Sequence, residues 1–197
     1  SGVASLFVDP NNPQTTGPTI GDNITGINAC YGILSALFEH ERGGPPRSIA
    51  VNMLESSIWF LPDPFANLTQ QNIQPSPTSR SEASQSHAMK CADGKLLAVH
   101  LSSQEKFWLG VTAALGVEHM RNDPRFGDRM SRIEHYFEMG KEFKKAAATK
   151  PRDHWMPRLE KNDVPYAPIN TLPDVFEDPQ VKHLETFFEI EHPEEGK

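Results

Sequence analysis

The sequence predicts two domains: the end of an α/β domain, followed by a small α+β domain. A helical pattern from Ile24 to Phe38 leads through a Gly/Pro break into an apolar run, 48–54. Such a run is typical of a buried strand in an α/β sheet. The polar segment 75–86 then predicts a linker or mobile loop. After it, strand and helix patterns in the order β-β-α-α-α-β-α-β indicate a compact α+β domain.

The composition is that of a globular protein. The chain has 197 residues, of which 37% are hydrophobic, and a net charge of -7, which argues against a nucleic-acid-binding surface. No apolar run approaches the roughly 18 residues of a membrane span, and the first residues lack a basic leader. The two cysteines are too few for a disulfide framework or a four-ligand zinc site. We therefore expect a cytoplasmic setting, with no membrane or nucleic-acid partner.

The predicted helix of the first domain has two different faces. Large apolar side chains recur at helical spacing on one face, and only small side chains lie on a second stripe that includes Gly32. Since glycine within a helix costs about 1 kcal/mol relative to alanine, we expect a neighbouring backbone to come very close there and the helix to be buried on two sides. A second helix is predicted within 55–65, closed by Pro62 and Pro64.

The second domain has a clear turn signal at its start. Asp93 and Gly94 separate two strand-like runs, which predicts a hairpin. Ser102 and Glu105 have the spacing of a capping box, and Gly116 is expected to end the helix that follows. The remaining patterns predict helices at 131–150 and 153–161, an edge strand at 164–169, an interrupted helix at 172–184, and a final strand at 186–192.

Asp22 is the first candidate for chemistry, because it stands at the predicted start of the first helix. A carboxylate there is stabilised in its charged form by backbone N–H groups and the helix dipole, and such a group can act as a nucleophile on an activated acyl group. The spacing equally fits an aspartate that only caps the helix.

Other common site motifs are absent from the sequence. The eight histidines form no HxxxH, HxH or HExxH pattern, so we predict no metal site. There is no GxSxG nucleophile elbow, and no GxGxxG or Walker A phosphate loop.

Several short motifs together carry a family resemblance. Gly21-Asp22 with its helix, and the run 49–55, resemble the central block of the class III CoA-transferases, which include formyl-CoA transferase, carnitine CoA-transferase and alpha-methylacyl-CoA racemase. Downstream motifs are similar to the small domain of that family, namely Asp93-Gly94, Phe107-Trp108, Asp123-Pro124-Arg125-Phe126, Val164-Pro165-Tyr166-Ala167-Pro168 and Asp178-Pro179-Gln180-Val181. The resemblance spans nearly the whole chain.

The resemblance implies a specific chemistry. Asp22 matches the catalytic aspartate, which in the transferases forms an aspartyl-acyl anhydride and then an aspartyl-CoA thioester. Gln104 and Glu105 resemble a substrate-side loop that contacts the CoA substrate. The thioester of coenzyme A is then a substrate, with no permanently bound cofactor. Two alternatives stay open: an acyl-CoA racemase or isomerase that uses Asp22 as acid and base, and a non-catalytic fragment that acts only in association.

The resemblance also implies an organisation. Residues 1–74 match the end of a large Rossmann-like α/β domain, 75–86 a linker, 87–192 the small α+β domain, and 193–197 the start of a return linker. The first half of the family fold is not found in this sequence, so an incomplete CoA pocket is expected. Family members form interlocked homodimers, and we expect a homodimer here. The linker contains no glycine, unlike the glycine-rich loop of formyl-CoA transferase.

Overall fold

The computed structural model describes residues 2–9, 11–14, 17–102, 104–194 and 196. The chain divides into two compact units, Ser1–Arg80 and Ser81–Lys197. The division falls within the segment 75–86 that the sequence predicts as a linker. Each unit is described separately below.

All of the regular secondary structure among the described residues of the first unit is helical. After a short 3-10 turn at Val3–Leu6, its helices are α1 (Ile20–Glu41), α2 (Met53–Trp59) and α3 (Pro62–Gln71). The predicted helix is confirmed as α1, with 22 residues. The prediction that Pro62 and Pro64 close the next helix is wrong, because Pro62 begins α3. Proline suits the first position of a helix, where no backbone N–H is needed.

The predicted buried strand is absent from the first unit. Residues 44–52 form neither helix nor strand, and Ile49 and Val51 are 38% and 37% exposed. A strand needs a partner for its backbone groups, and no described residue of this unit lies in a strand. Gly32 of α1 does have a close neighbour, but it is a side chain and not the backbone that the sequence predicts: a Cβ at Gly32 would lie 2.8 Å from Cγ2 of Ile49.

The prediction that α1 is buried on two sides is also wrong for this chain. Ile24 is its only buried residue, and Tyr31 and Phe38 are each 65% exposed. The first turn of α1 packs against α2, since a Cβ at Gly21 would lie 3.5 Å from Met53. The apolar face farther along α1 is exposed to solvent.

The segment 75–86 is more ordered than a linker. It contains α4 (Ser79–Ser84) and the first residue of strand β1 (Ser86–Lys90), and Gln85 is 2% exposed. Polar composition predicts a linker because it offers little apolar surface to bury. Here the polar side chain of Gln85 is buried because it accepts a hydrogen bond from Arg132.

The second unit contains an antiparallel sheet of three strands. Strand β1 pairs with β2 (Leu96–His100), which pairs with β3 (Tyr166–Ile169). The predicted hairpin is confirmed, and Gly94 in its turn has a φ of 80°, which glycine adopts without strain. The predicted edge position of the third strand is also confirmed, because β3 pairs only with β2.

Helices surround this sheet. They are α5 (Glu105–Leu115), α6 (Arg129–Glu134), α7 (Tyr136–Ala147), α8 (Arg152–Lys161), α9 (Leu172–Glu177) and α10 (Pro179–His183). The predicted helix 153–161 is confirmed, as is the interruption at Asp178-Pro179. The single helix predicted for 131–150 is wrong, because His135 separates α6 from α7.

Two further predictions for this unit are wrong. Ser102 does not cap α5: its φ is 51°, and Gln104 is the N-cap residue, with no side-chain cap. The final strand predicted at 186–192 is not formed, since 186–191 are irregular and His192 makes an isolated bridge with Gly196. Its aromatic residues Phe187 and Phe188 remain exposed, because they meet no partner strand in the described part of the chain.

The core of the second unit lies between one face of the sheet and the helices. Apolar side chains from the strands, α5, α7 and α8 form it, including Met89, Leu97, Val99, Trp108, Val111, Met139, Phe143 and Leu159. In the strands the buried positions alternate, as expected for a sheet with one face on the core. This packing sets the positions of the polar groups described below.

A close approach inside this core gives a first prediction. A Cβ at Gly110 would lie 2.6 Å from the carbonyl oxygen of Asn162. Gly110→Ala therefore forces α5 away from the backbone of α8, and we expect it to lower the free energy of unfolding by about 1–3 kcal/mol. Gly26→Ala is the matched control, because a Cβ at Gly26 meets nothing within 4 Å. It is expected to raise helix stability by about 0.5–1 kcal/mol. Denaturant unfolding of both variants measures whether the free energy of unfolding falls in Gly110→Ala and rises in Gly26→Ala.

Candidate active site

Asp22 lies inside the first turn of α1 and is not its N-cap. The helix begins at Ile20, its N-cap residue is Thr19, and no side chain caps it. The side chain of Asp22 is exposed and has no hydrogen-bond partner among the described residues. The capping interpretation therefore finds no support in the contacts of this residue.

Asp22 lines an open groove of the first unit. The groove has a volume of about 630 Å³ and is formed by the first turn of α1, α2 and the N-terminal 3-10 turn. Ser57, a buried residue of α2, forms part of it beside Met53. A Cβ at Gly21 would be in ordinary contact with both. The carboxylate thus stands at the edge of a largely apolar concave surface.

The backbone around Asp22 carries free donors. At the helix start, the N–H of Ile20 donates to Pro18 and that of Asn23 donates to Thr19. Between them, the N–H groups of Gly21 and Asp22 have no acceptor among the described residues. The first N–H groups of a helix carry partial positive charge. Donors of this kind can stabilise an oxyanion.

Gln104 and Glu105 belong to the second unit, whereas Asp22 belongs to the first. Gln104 is exposed at the start of α5. The carboxylate of Glu105 accepts from Nη2 of Arg132 at 2.5 Å and from Nη1 at 3.3 Å. The Glu105 side chain therefore has a partner within its own unit, whereas the Gln104 side chain has none among the described residues.

The sequence interpretation missed Arg132 and the environment of His87. Arg132 is 2% exposed and His87 is 4% exposed. His87 stacks on Tyr136 with ring centroids 4.4 Å apart. Burial, with a smaller contribution from nearby Lys144, lowers the pKa of His87 to about 4. The alternation of β1 could have placed His87 on the buried face with Met89, but no sequence signal marks a buried arginine on α6.

Among the described residues, no group of three or more His, Cys, Asp or Glu side chains could hold a metal ion. Within the same residues, no helix is both long and apolar enough to span a bilayer. The absence of a permanently bound cofactor stays a prediction.

A carboxylate in the first turn of a helix, beside an open groove, is an arrangement that can supply a nucleophile for activated acyl groups. The family model described as CoA-transferase family III matches residues 1–197. The chain belongs to this family, as the resemblance in the sequence predicts.

Named relatives agree with this assignment. The chain is 27% identical over 191 residues to succinyl-CoA:glutarate CoA-transferase of Mus musculus, covering 96% of this chain and 43% of that protein. It is 25% identical over 201 residues to formyl-CoA:oxalate CoA-transferase of Streptomyces avermitilis, covering 94% and 49%. The chain thus spans about half the length of these relatives.

A solved structure shows the same fold. The chain is similar to a CAIB/BAIF family protein from Brucella suis, with a TM-score of 0.77 and 24% identity. The match covers 92% of this chain and 48% of that one. At this identity the likeness establishes the fold alone.

Proposed function

We propose that the protein containing this chain transfers coenzyme A between an acyl-CoA and a carboxylic acid, with Asp22 as the nucleophile. The observation that carries the proposal is the free carboxylate of Asp22, exposed in a groove at the positive end of a 22-residue helix. Since its side chain forms no hydrogen bond with any described residue, its oxygen atoms are available to attack an activated acyl group.

In the first half of the reaction, Asp22 attacks the thioester carbonyl. The C–O bond forms, the C–S bond breaks, and CoA leaves as a thiolate, giving an aspartyl-acyl anhydride. The thiolate then attacks the aspartyl carbonyl of this anhydride and releases the original acid. Asp22 now carries CoA as a thioester. The free N–H groups of Gly21 and Asp22 are donors of the type that stabilises the oxyanions of these steps.

In the second half, the acceptor carboxylate attacks the aspartyl-CoA thioester and expels the thiolate. The thiolate then attacks the acceptor's carbonyl in the new anhydride, which yields the new acyl-CoA and restores the Asp22 carboxylate. No redox step and no metal is needed, because each bond is exchanged between carboxylates and one thiol. The names of both relatives describe CoA exchange between carboxylic acids, which supports a carboxylate as the acceptor class.

We assign the substrate-side role in the second unit to Gln104. Its amide offers two N–H donors, which suit a carboxylate or carbonyl oxygen. Glu105, which the resemblance also implicates, has its carboxylate bound to Arg132. The Glu105 side chain is nevertheless 58% exposed, and we propose that it also contacts the CoA substrate.

We also propose that the protein is a homodimer in which the apolar face of α1 is covered. Tyr31, Leu34 and Phe38 are each more than half exposed in this chain, and an apolar surface of this kind marks an association site. The same exposure was expected for a fragment that acts only in association. Sedimentation of the whole protein, with Tyr31→Glu as a disrupting variant, distinguishes monomer from dimer.

The covalent intermediate provides the test of the reaction. The whole protein is incubated with an acyl-CoA and hydroxylamine, and its intact mass and peptides are measured. An Asp22 hydroxamate that is absent from Asp22→Ala supports the transferase. Exchange of the substrate's α-proton without an adduct would favour the racemase alternative. If neither the adduct nor the exchange is observed, only the association role remains.

A further inference from the structure

Ser57 is a nearly buried serine that faces the groove of the first unit. The residue is 4% exposed within α2, and its Oγ forms no hydrogen bond with any described residue. Buried hydroxyls are normally paired within the protein. Ser57 lines the same groove of about 630 Å³ as Asp22, and its Oγ is not fully enclosed. The hydroxyl therefore opens on the groove and is available to whatever the groove holds.

The hydroxyl lies beside the first turn of α1. A Cβ at Gly21, the residue before Asp22, would lie 3.6 Å from Oγ of Ser57 and 3.5 Å from Sδ of Met53. In that turn, the N–H groups of Gly21 and Asp22 have no acceptor among the described residues. The groove thus brings a shielded hydroxyl and two backbone donors together beside one carboxylate.

The helix that carries Ser57 is held in place at its start. The side chain of Asn52 accepts from the N–H of Glu55 at 2.9 Å and donates to the carboxylate of Glu55. Thr19 also brings a hydroxyl to the groove, but Thr19 is exposed to solvent. Ser57 is shielded by its own packing. A donor that is positioned and shielded before the reaction stabilises new charge without a cost of reorganisation.

We infer that Ser57 is a further catalytic residue, whose hydroxyl donates to the oxyanion that forms on the Asp22 carbonyl. The inference rests on the proposed function. When the CoA thiolate attacks this carbonyl in the anhydride, the C–S bond forms and an electron pair moves onto the carbonyl oxygen. The pair returns to carbon as the C–O bond to the departing acid breaks. The same oxygen becomes negative again when the acceptor carboxylate attacks the aspartyl-CoA thioester.

The protein itself sets the position of this oxyanion. The oxygen belongs to Asp22, so it stays at the groove that Ser57 lines through both halves of the reaction. The carbonyl oxygen of the substrate, in contrast, arrives with each acyl group. A hydroxyl on the same groove wall is therefore a donor for the step that is common to all substrates. Loss of one such donor lowers kcat by about 10²–10³-fold in enzymes that use an oxyanion hole.

The experiment uses the whole protein and the variants Ser57→Ala, Ser57→Thr and Ser56→Ala. Ser56 is the matched control, because it is also 4% exposed in α2 but does not line the groove. After rapid mixing with an acyl-CoA, intact mass follows the aspartyl-CoA thioester, which adds CoA less one water to the protein. Steady-state rates give kcat and KM, and thermal unfolding gives the midpoint of each variant.

We expect Ser57→Ala to slow formation of the thioester and to lower kcat by about 10²-fold. The KM for acyl-CoA should be nearly unchanged, because an oxyanion donor acts in the transition state and not in the bound ground state. Alanine fits the space of serine and has a higher helix propensity, so the thermal midpoint should not fall. Ser57→Thr, which keeps the hydroxyl, and Ser56→Ala should lose far less activity.

Three outcomes overturn the inference. The first is an unchanged rate of thioester formation in Ser57→Ala, which leaves Asp22 as the nucleophile. The second is an equal loss in Ser56→Ala or Ser57→Thr, which traces the effect to the packing of α2. The third is a higher KM for acyl-CoA with an unchanged kcat, which makes Ser57 a contact of the bound substrate only. Absence of any adduct in the unsubstituted protein would overturn the proposed function itself, a result distinct from an adduct formed at an unchanged rate.

Discussion

Replacing Asp22 by asparagine is expected to reduce kcat for CoA transfer by at least about 10⁴-fold, the scale seen when a covalent nucleophile is removed. Asparagine keeps the size of the side chain and a carbonyl oxygen but cannot form the anhydride. The side chain is exposed and forms no hydrogen bond with described residues, so the variant should fold normally. Initial rates with an acyl-CoA donor and a carboxylate acceptor measure the loss.

Asp63 supplies the matched control for this prediction. It is an exposed aspartate in the first turn of α3, so it shares the helix position of Asp22 but does not line the groove. Asp63→Asn should retain nearly full activity. Equal rates for Asp22→Asn and the unsubstituted protein would contradict the assignment of the nucleophile. Equal losses in both variants would instead indicate a general effect of charge on folding.

The second unit is expected to lose about 3 kcal/mol of stability on acidification because of His87. The unfolded side chain takes up its proton near pH 6.5, whereas burial delays protonation in the folded state to about pH 4. Between these values the unfolded state binds more protons, so the free energy of unfolding falls as the pH decreases. The loss starts near pH 6.5 and is complete below pH 4. It amounts to about 1.4 kcal/mol for each unit by which the pKa in the folded state lies below the pKa in the unfolded state.

His87→Phe should remove this pH dependence. Phenylalanine retains a ring that can stack on Tyr136 and pack against Phe143, but it does not titrate. Denaturant unfolding between pH 4 and pH 7 is measured for both proteins and for His100→Phe, an exposed position on the neighbouring strand. If the free energy of unfolding of His87→Phe still falls with decreasing pH as steeply as that of the unsubstituted protein, other groups cause the pH dependence.

Local sequence signals determined the hairpin of the second unit and the ends of several helices. Asp93-Gly94 specifies its turn because glycine adopts a positive φ without strain, and Gly116 ends α5 for the same reason. The sequence likewise places Asp22 at the start of the first helix, although only the structure shows that α1 begins earlier, at Ile20. These features depend on neighbouring residues alone, so composition and spacing are enough to predict them.

Tertiary structure alone decided the features that need a distant partner. The apolar runs at 48–54 and 186–192 have the composition of strands, yet neither forms one, because a strand exists only where another strand accepts its backbone hydrogen bonds. Arg132 appears in the sequence as an ordinary polar residue of α6, and its burial depends on Glu105, 27 residues away along the chain. Which charged residues pair at that separation depends on how the chain packs, and the spacing of residue types along the sequence does not predict it.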